Sequence, residues 1–333
     1  MAGQSTSPDL QPLRWGILGV SGMVGRLAVL PALRDSPTAA LVAIASRDAA
    51  RAQAEADAFG ATRAYGSYAA LLDDAEVEAV YIPLPNALHR EWTIAALRSG
   101  RHVLCEKPLA CTAAEAVAMA EAAQSSRRTL MEAYMTAFHP RARRAVELAR
   151  EGALGKLQAM RSVFTFPNRD PLNHRWLAEM GGGALLDVGI YCLEPLLKIG
   201  GDPVRVAGSS ITAPSGVDAS FSGWLEFDDG LTASFLASFD APELQRLEVV
   251  GSEAAIACGT AFTAGAHDNL IDIQHRDGRR ESLDAGACNP YLAMVEHFAR
   301  VVAGEEESLR PPADSVRTLA VIDRVRAAAG ESK

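Results

Sequence analysis

Short apolar runs alternate with Ala-rich amphipathic stretches over the first 130 residues of the chain. Runs of this length bounded by turn residues are typical of buried strands, and the stretches between them have helical spacing. One helix between successive strands is the connection that parallel pairing requires. The pattern therefore predicts an α/β half with a parallel sheet covered on both faces. Its predicted strands are Trp15–Val20, Leu41–Ser46, Ala79–Leu84, His102–Cys105 and Thr129–Glu132, and its predicted helices lie near 23–34, 48–59, 87–99 and 112–127.

The pattern changes after Leu154-Gly155, where apolar and polar residues begin to alternate. Alternation with a period of two, together with turn signals such as Asp228-Asp229-Gly230 and Asp277-Gly278, predicts antiparallel strands. This half is therefore predicted to be an α+β domain with a large, open, mostly antiparallel sheet. One face of such a sheet needs cover, from helices or from a second subunit. The predicted strands are Gln158–Phe166, Val204–Ala213, Ser220–Phe227, Leu231–Phe239 and Leu244–Val250, and two helices are predicted near 289–303 and 314–329.

The length of 333 residues, with 49% hydrophobic residues, is enough for two cores. We predict a disordered leader over 1–13, a first domain over 14–133 and a second domain over 134–333. The second domain is expected to bind substrate and to carry the oligomer contact, and its last helix could pack back on the first domain.

Charge and cysteine content narrow the classes of function. A net charge of -9, a pI near 5.4 and 6% aromatic residues argue against nucleic acid or an anionic membrane as partner, which leaves a small molecule. The chain shows no signal peptide and no stretch of 18 apolar residues, so we expect a cytoplasmic protein. Five cysteines without a CxxC pair indicate reduced thiols, and no metal site is expected.

Lysine is rare in this chain, since only four of the 32 basic residues are Lys. One of them, Lys107, lies between Glu106 and Pro108 at the end of a predicted strand. Arg stays protonated at any working pH, whereas an ammonium group can give or take a proton when its surroundings shift its pKa. A chain that otherwise uses Arg and keeps Lys here indicates chemistry at Lys107, although a surface Lys at a turn is the alternative.

A glycine-rich turn, Gly16-Ile-Leu-Gly19-Val-Ser-Gly22-Met-Val-Gly25, follows the first predicted strand. Such a turn lets backbone N–H groups approach a pyrophosphate at a helix N-terminus, as in Rossmann domains. The spacing departs from the strict motif, because Ser21 occupies the second glycine position.

The end of the second predicted strand discriminates between nicotinamide cofactors. Ser46-Arg47 stands there, and Arg47 can stack on adenine and pair with a 2'-phosphate, which favours NADP over NAD. NAD stays possible, because Asp48 could serve a ribose hydroxyl, although capping the second helix is its simpler role.

The segment Gly181–Tyr191 carries the second set of candidate groups. If it is helical after its glycines, Asp187 and Tyr191 are four residues apart and share a face. A nearby cation favours the phenolate of a Tyr, so Tyr191 with Lys107 would form a proton donor and acceptor for carbinol–carbonyl interconversion. A core aromatic and a helix cap are the alternatives for these two positions.

Six separated motifs together resemble the Gfo/Idh/MocA oxidoreductase family, in particular its dihydrodiol and NADP-dependent xylose dehydrogenase branch. The resemblance covers about residues 14 to 330. In order, the motifs are Gly-x-Leu-Gly near the N-terminus, Ser46-Arg47, Pro85-Asn86 with His89, Glu106-Lys107-Pro108, Glu132-Ala133 before Phe138-His139-Pro140, and Gly183-xxx-Asp187-x-Gly189-x-Tyr191. Two departures are Ser21 in the phosphate loop and Ala137, where Arg usually precedes Phe-His-Pro.

The resemblance implies a role for each matched residue. It implies a cis Lys107-Pro108 bond, a catalytic Lys107, Tyr191 as general acid/base and Asp187 as an orienting group. By the same resemblance, Asn173 and Arg175 line the sugar pocket. The cofactor would be bound by Gly19, Ser21 and Gly22 at the phosphates, Ser46 and Arg47 at the adenosine phosphate, and Pro85, Asn86, His89 and Glu106 along the nicotinamide.

The function implied is an NADP-dependent oxidoreductase that transfers hydride between nicotinamide and a carbinol or carbonyl carbon of a sugar or sugar-like cyclic alcohol. A nucleotide-deoxysugar ketoreductase and a trans-dihydrodiol dehydrogenase are alternatives within the same chemistry. A catalytically silent NAD(P)-binding regulatory protein is the alternative from a different class. The family also implies a homodimer or higher homo-oligomer formed through the C-terminal sheet.

Overall fold

The computed structural model describes residues 11–19 and 24–330 of the chain. Two sheets organise this part of the protein, one entirely parallel and one mostly antiparallel. The predicted fold class is therefore confirmed.

The first sheet is parallel and has the strand order β3-β2-β1-β4-β5-β6. The order reverses between β1 and β4, and ligands of open α/β sheets bind at the carboxyl ends of the strands beside such a reversal. The strands are β1 (Leu13–Leu18), β2 (Ala39–Ala45), β3 (Arg63–Tyr65), β4 (Ala79–Ile82), β5 (His102–Glu106) and β6 (Leu130–Ala133).

Helices connect these strands, and side-chain caps fix where several of them begin. Asp48, Ser67 and Thr112 each accept a backbone N–H at the start of a helix, which satisfies groups that have no partner within the helix. The helices are α1 (Leu30–Asp35), entered through a π-helical turn Gly25–Val29, α2 (Ala49–Phe59), α3 (Tyr68–Leu72), α4 (Asn86–Arg98) and α5 (Ala113–Ser126).

The second sheet has the order β14-β13-β12-β11-β7-β10-β9-β8. All its neighbouring strands pair antiparallel except β7 and β10, which run parallel from Ala159 opposite Thr232 to Thr165 opposite Ser238. The strands are β7 (Leu157–Thr165), β8 (Arg205–Thr212), β9 (Asp218–Glu226), β10 (Thr232–Ser238), β11 (Leu244–Gly251), β12 (Ala254–Gly259), β13 (Leu270–His275) and β14 (Arg280–Asp284).

Four further helices follow β6 along the chain: α6 (Pro140–Arg150), α7 (Ile190–Gly200), α8 (Pro290–Val302) and α9 (Pro312–Ala328). Phe298 of α8 packs on Trp15 of β1 with ring centroids 5.1 Å apart. Asp323 of α9 accepts the backbone N–H of Ala113 at the start of α5. Both C-terminal helices therefore contact the half of the protein that contains the parallel sheet.

One helical stretch, Ala178–Gly200, is long and apolar enough to span a membrane by length and composition. Most of its apolar window, 83%, is buried inside the protein, as expected for a helix that fills a core. Membrane insertion therefore need not be invoked to explain its composition.

Sequence patterns found the longer elements and missed several short ones. The helix and strand assignments from 41 to 133 agree with the structure to within a few residues, except that β3 and α3 were not predicted. Periodicity also missed α6 and the strands β12 to β14, which are only five or six residues long. Short edge strands with mostly exposed residues, such as β14, carry little alternation for a pattern to detect.

Candidate active site

Lys107 follows β5 directly, at the carboxyl edge of the parallel sheet. Its bond to Pro108 is cis, as the family resemblance implied. The backbone N–H of Lys107 donates to Glu106 Oε2 at 3.1 Å, so the side chain of Glu106 fixes the backbone where β5 ends. Only 9% of the Lys107 side chain is exposed.

Three charged side chains meet at this point, and we call them the ion cluster: Lys107, Asp187 and Arg175. Lys107 Nζ donates to Asp187 Oδ1 at 2.9 Å and to the Asp187 backbone oxygen at 2.7 Å. Arg175 Nε donates to Asp187 Oδ2 at 2.6 Å. The chain thus brings together groups 80 residues apart, and the cluster keeps one unneutralised positive charge.

Two opposing effects set the pKa of Asp187. Burial acts to raise the pKa of this carboxyl group, because burial disfavours a charge. The guanidinium of Arg175 and the ammonium of Lys107 outweigh burial, and the pKa lies well below its usual range. Asp187 is therefore a permanent anion at neutral pH, suited to orienting the two cations and unsuited to proton transfer.

Tyr191 lies beside the ion cluster with its ring facing the ammonium. Lys107 Nζ is 4.7 Å from the ring centroid, within the range of a cation–π contact. The hydroxyl group points to Met135, with 3.5 Å between Oη and Sδ. Tyr134, Phe164 and Phe262 pack around the ring, with centroids 5.2 to 6.1 Å from it.

The expectation that Lys107 favours the phenolate of Tyr191 is wrong for this arrangement. Burial is the largest influence on this side chain and raises its pKa well above the ordinary value. Lys107 Nζ lies over the Tyr191 ring, and its charge is not among the main influences on this pKa. Tyr191 is therefore a neutral phenol at neutral pH.

A close approach of backbones explains the glycines before Asp187. A Cβ atom at Gly181 would lie 2.5 Å from Cys111 Sγ and 2.9 Å from Asn86 Cβ, distances that no side chain tolerates. Asn86 Nδ2 donates to the Gly181 oxygen at 2.8 Å, which ties the start of α4 to this segment. The helix predicted here forms as a π-helical turn, Leu185–Gly189, continuing into α7.

The nucleotide end lies at the carboxyl end of β1. Gly19 has a φ of +93°, and a Cβ there would lie 2.6 Å from Leu84 Cδ2 and 3.3 Å from Tyr68 Oη. The turn therefore needs glycine, and it leaves bare backbone at the reversal of strand order, where a dinucleotide fits. Ser21 and Gly22, predicted for the phosphates, lie outside the described residues.

Ser46 and Arg47 follow β2 beside this turn; Ser46 is half-buried and Arg47 is exposed. Burial raises the pKa of Tyr68, and the positive charges of Arg47 and Arg51 act against that increase. Sequence reasoning missed Tyr68 and Arg51 here, although Arg51 lies in the first turn of α2, directly after the Ser46-Arg47-Asp48 segment. Asp48 caps α2 by accepting the N–H groups of residues 50 and 51.

His89 has a structural role in addition to its predicted contact with the cofactor, and that contact stays a prediction. The side chain is fully buried, with Nδ1 2.8 Å from the Pro108 oxygen and Nε2 2.7 Å from the Leu84 oxygen. Burial lowers the pKa of His89, while the two carbonyl contacts act in the opposite direction. Both ring nitrogens are engaged by backbone, so His89 links the loop after β4 to the loop that follows Lys107.

The other predicted site residues lie in the same region, with partners inside the protein. Pro85 and Asn86 are half-buried at the start of α4. Glu106 Oε1 accepts the hydroxyl of Tyr81 at 2.5 Å, and burial raises the pKa of the Glu106 carboxyl group. Asn173 Oδ1 accepts the Arg175 backbone N–H at 3.1 Å, so Asn173 shapes the turn that carries Arg175.

Comparison with known proteins agrees with both halves of the fold. Residues 13–134 match the model of an oxidoreductase family with an NAD-binding Rossmann fold. Residues 142–257 match the model of the GFO/IDH/MocA C-terminal domain. The two matches together span most of the chain and follow the two sheets.

Individual relatives match over almost the full length. The chain is 40% identical to D-xylose 1-dehydrogenase (NADP(+)) 2 of Haloferax volcanii, over 94% of this chain and 96% of that protein. It is 32% identical to a dTDP-3,4-didehydro-2,6-dideoxy-alpha-D-glucose 3-reductase of Actinomadura kijaniata, over 96% and 97% of the two chains. A crystal structure of a 3-ketoreductase from Actinomadura kijaniata with NADP and TDP-benzene superposes with a TM-score of 0.89 at 30% identity, covering 96% of this chain and 98% of that one. The chain belongs to the Gfo/Idh/MocA family of oxidoreductases.

Proposed function

We propose that this protein is an NADP-dependent dehydrogenase or reductase that interconverts a carbinol and a carbonyl group on a sugar or sugar-like cyclic alcohol. The observation that carries the proposal is the convergence of Lys107, Asp187 and Tyr191 at the carboxyl edge of the parallel sheet. The relatives support it, since they include an NADP-dependent xylose dehydrogenase and a deoxysugar 3-reductase.

The cofactor would be held along the edge that Gly19 opens. Gly19 leaves room for the pyrophosphate, Ser46 and Arg47 would bind the adenosine 2'-phosphate, and Pro85 and Asn86 would border the nicotinamide. Ser21 and Gly22 would complete the phosphate loop. Glu106 would act on the nicotinamide side by fixing the backbone at Lys107. NADP, when bound, supplies or accepts the hydride. Arg47 favours NADP, and NAD stays possible as a second cofactor.

The ion cluster would bind and polarise the reacting oxygen of the substrate. Asp187 is the single anion between two cations, Lys107 and Arg175, so the cluster has positive charge left over. That charge would stabilise a substrate oxygen that becomes negative during the reaction. Preorganised charge in a buried site is effective because little water screens it. Asn173 and Arg175 would hold the neighbouring hydroxyl groups of the sugar.

Tyr191 would handle the hydroxyl proton. The raised pKa keeps it a phenol, which suits donation of a proton to a carbonyl oxygen in the reductive direction. Within residues 11–19 and 24–330, its hydroxyl donates a hydrogen bond only to the Met135 sulfur, and a thioether is a weak acceptor. A substrate oxygen would therefore replace that contact at little cost.

The experiment mixes the protein and NADP or NADPH with aldoses, inositols, cyclic diols and dTDP-linked ketodeoxysugars, and follows absorbance of the reduced nicotinamide. We expect turnover with one sugar class, and a loss of about 10²-fold or more in kcat for Tyr191→Phe, since general acid–base catalysis contributes that much. Turnover only with dTDP-sugars or only with dihydrodiols would select the corresponding alternative. Tight NADP binding with no turnover across the panel would favour the regulatory protein and contradict the proposal.

We also propose that the protein acts in the cytoplasm as a homodimer or higher homo-oligomer. All five cysteines are unpaired, as suits a reducing compartment. The outer face of the second sheet carries exposed apolar residues, among them Trp224 and Ile211, and a second subunit would cover them. Light scattering should give at least twice the chain mass, and Trp224→Glu should shift the protein toward the monomer. A monomeric wild-type protein would contradict this.

A further inference from the structure

A fully buried arginine, Arg310, lies behind the candidate active site, just before α9. Its guanidinium contacts two carboxylates: Glu132 Oε2, 2.6 Å from Nη2 and 2.8 Å from Nε, and Glu194 Oε1, which pairs with Nη1. We call these three residues the buried triad. Glu132 is fully buried and Glu194 is 5% exposed, so the two carboxyl groups and the guanidinium share a buried site.

Each carboxylate of the triad also holds an element of the active site. Glu132 Oε1 accepts the backbone N–H of Leu109 at 2.7 Å, two residues after Lys107. Glu194 lies on α7 three residues after Tyr191, and its Oε2 accepts the Thr318 hydroxyl of α9 at 2.7 Å. Arg310 therefore connects the Lys107 loop to the Tyr191 helix through one guanidinium group.

A second path joins Arg310 to the same groups through aromatic rings. Its Cζ atom is 4.9 Å from the ring centroid of Tyr134, and the rings of Tyr134 and Tyr191 have centroids 5.2 Å apart. Lys107 Nζ then lies 4.7 Å from the Tyr191 centroid. The order Arg310, Tyr134, Tyr191, Lys107 is thus a continuous series of contacts.

We propose that Arg310 is a positioning residue, which fixes the distance between Lys107 and Tyr191 by holding Glu132 and Glu194 on one guanidinium. The proposal rests on the proposed roles of Lys107 and Tyr191. Stability alone does not account for such a triad, since well-packed apolar residues often replace buried ion pairs without loss. A planar fork that binds two carboxylates at fixed angles suits positioning, and a lysine cannot reproduce it.

The experiment compares Arg310→Lys with a neutral triple variant, Arg310→Met with Glu132→Gln and Glu194→Gln, in the full-length protein. Misplacement of reacting groups by about 1 Å can cost about 100-fold in rate, so we expect a loss of that order in kcat for the triple variant. Arg310→Lys, which retains the charge, should recover part of it. KM and the NADP dissociation constant should change little in both, because neither variant touches the binding residues.

Hydrogen exchange provides a readout that does not depend on turnover. In both variants, we expect faster amide exchange in a peptide that contains Leu109 and in a peptide from the start of α7. A matched control is Arg63→Met, which breaks the Arg63–Asp74 pair in the first domain (3.0 Å), because neither residue contacts the loop or the helix in question. This control should leave kcat and both peptides unchanged.

A folded triple variant with wild-type kcat and unchanged exchange would overturn the proposal. If the triple variant does not fold, Arg310→Lys decides alone, and wild-type kcat with unchanged exchange there would overturn it equally. A fall in kcat together with an equal rise in the NADP dissociation constant would indicate a general structural role and also overturn it. Failure of the proposed function would appear elsewhere, as full turnover by Tyr191→Phe, or as a silent wild-type protein whose exchange data still test Arg310.

Discussion

The nucleotide end of this protein and its reacting end, which is the ion cluster with Tyr191, are built in different ways. Ser46, Arg47 and Asp48 are consecutive in sequence, and Arg47 and Asp48 are exposed, so the proposed 2'-phosphate site would be assembled by one strand end. Lys107, Arg175 and Asp187 come from separate segments and meet under cover, with Asp187 buried. Water screens charges at the first site and hardly at the second. Binding at the nucleotide end can therefore change without affecting the fold, whereas at the reacting end catalysis and stability are coupled.

The largest expected effect is that of Lys107→Met. Methionine fills similar space but removes the ammonium that would stabilise the reacting oxygen, so we expect kcat to fall by about 10³-fold or more. NADP affinity, measured by titration of protein fluorescence, should be retained, because Arg47 and the Gly19 turn are untouched. Lys156→Met is the matched control, since Lys156 is exposed, and it should keep full activity.

Full turnover by Lys107→Met would remove the proposed mechanism and leave only the family assignment. Loss of NADP binding together with turnover would be equally informative. It would mean that Lys107 couples cofactor binding to the chemistry and that the two ends are not independent.

The second prediction concerns the stability contributed by the ion cluster. Asp187→Asn leaves Lys107 and Arg175 facing each other with no anion between them, and breaking a buried ion pair typically costs about 3–5 kcal/mol. We expect a loss near the lower limit, about 3 kcal/mol at neutral pH, because 26% of the Arg175 side chain is exposed. Urea unfolding of the two proteins measures the difference.

The pH dependence of that difference gives a sharper test. The pKa of Asp187 is lower in the folded protein than its ordinary value of about 3.9 in an unfolded chain. The stabilisation is therefore complete above that value and is lost as the pH falls through it toward the folded pKa. The wild-type advantage over Asp187→Asn should be constant from about pH 5 to 7 and shrink below about pH 4. An advantage that grows in acid would contradict the assignment of Asp187 as the anion of the cluster.

The features of the nucleotide end could be predicted well from the sequence, and those of the reacting end only in part. The positive φ of the Gly19 turn and the cap at Asp48 are local features, so motif spacing was sufficient to find them. The family motifs pointed to Lys107 and Tyr191 but could not give the orientation of the phenol, which follows from packing against Met135 and Phe164.

The partners of buried polar residues could not be predicted from the sequence. His89 matches a motif beside the cofactor, yet two backbone carbonyls engage its ring, and no sequence pattern indicates that. Glu132 and Arg310 are 178 residues apart, and no sequence pattern links them. A buried ion pair between distant segments depends on the tertiary fold, so only the structure identifies it.

The smallest expected effect lies at the exposed end. Arg47→Ala should weaken NADP binding about 10-fold to 100-fold and leave NAD binding almost unchanged, because a guanidinium would pair with the 2'-phosphate that only NADP carries. Its unfolding midpoint should match the wild type, as is usual for an exposed side chain. Asp48→Asn is the matched control: Asn retains the α2 cap, so neither affinity nor stability should move. If Asp48→Asn instead weakened NAD binding selectively, Asp48 would serve the ribose, and this end of the protein would accept both cofactors.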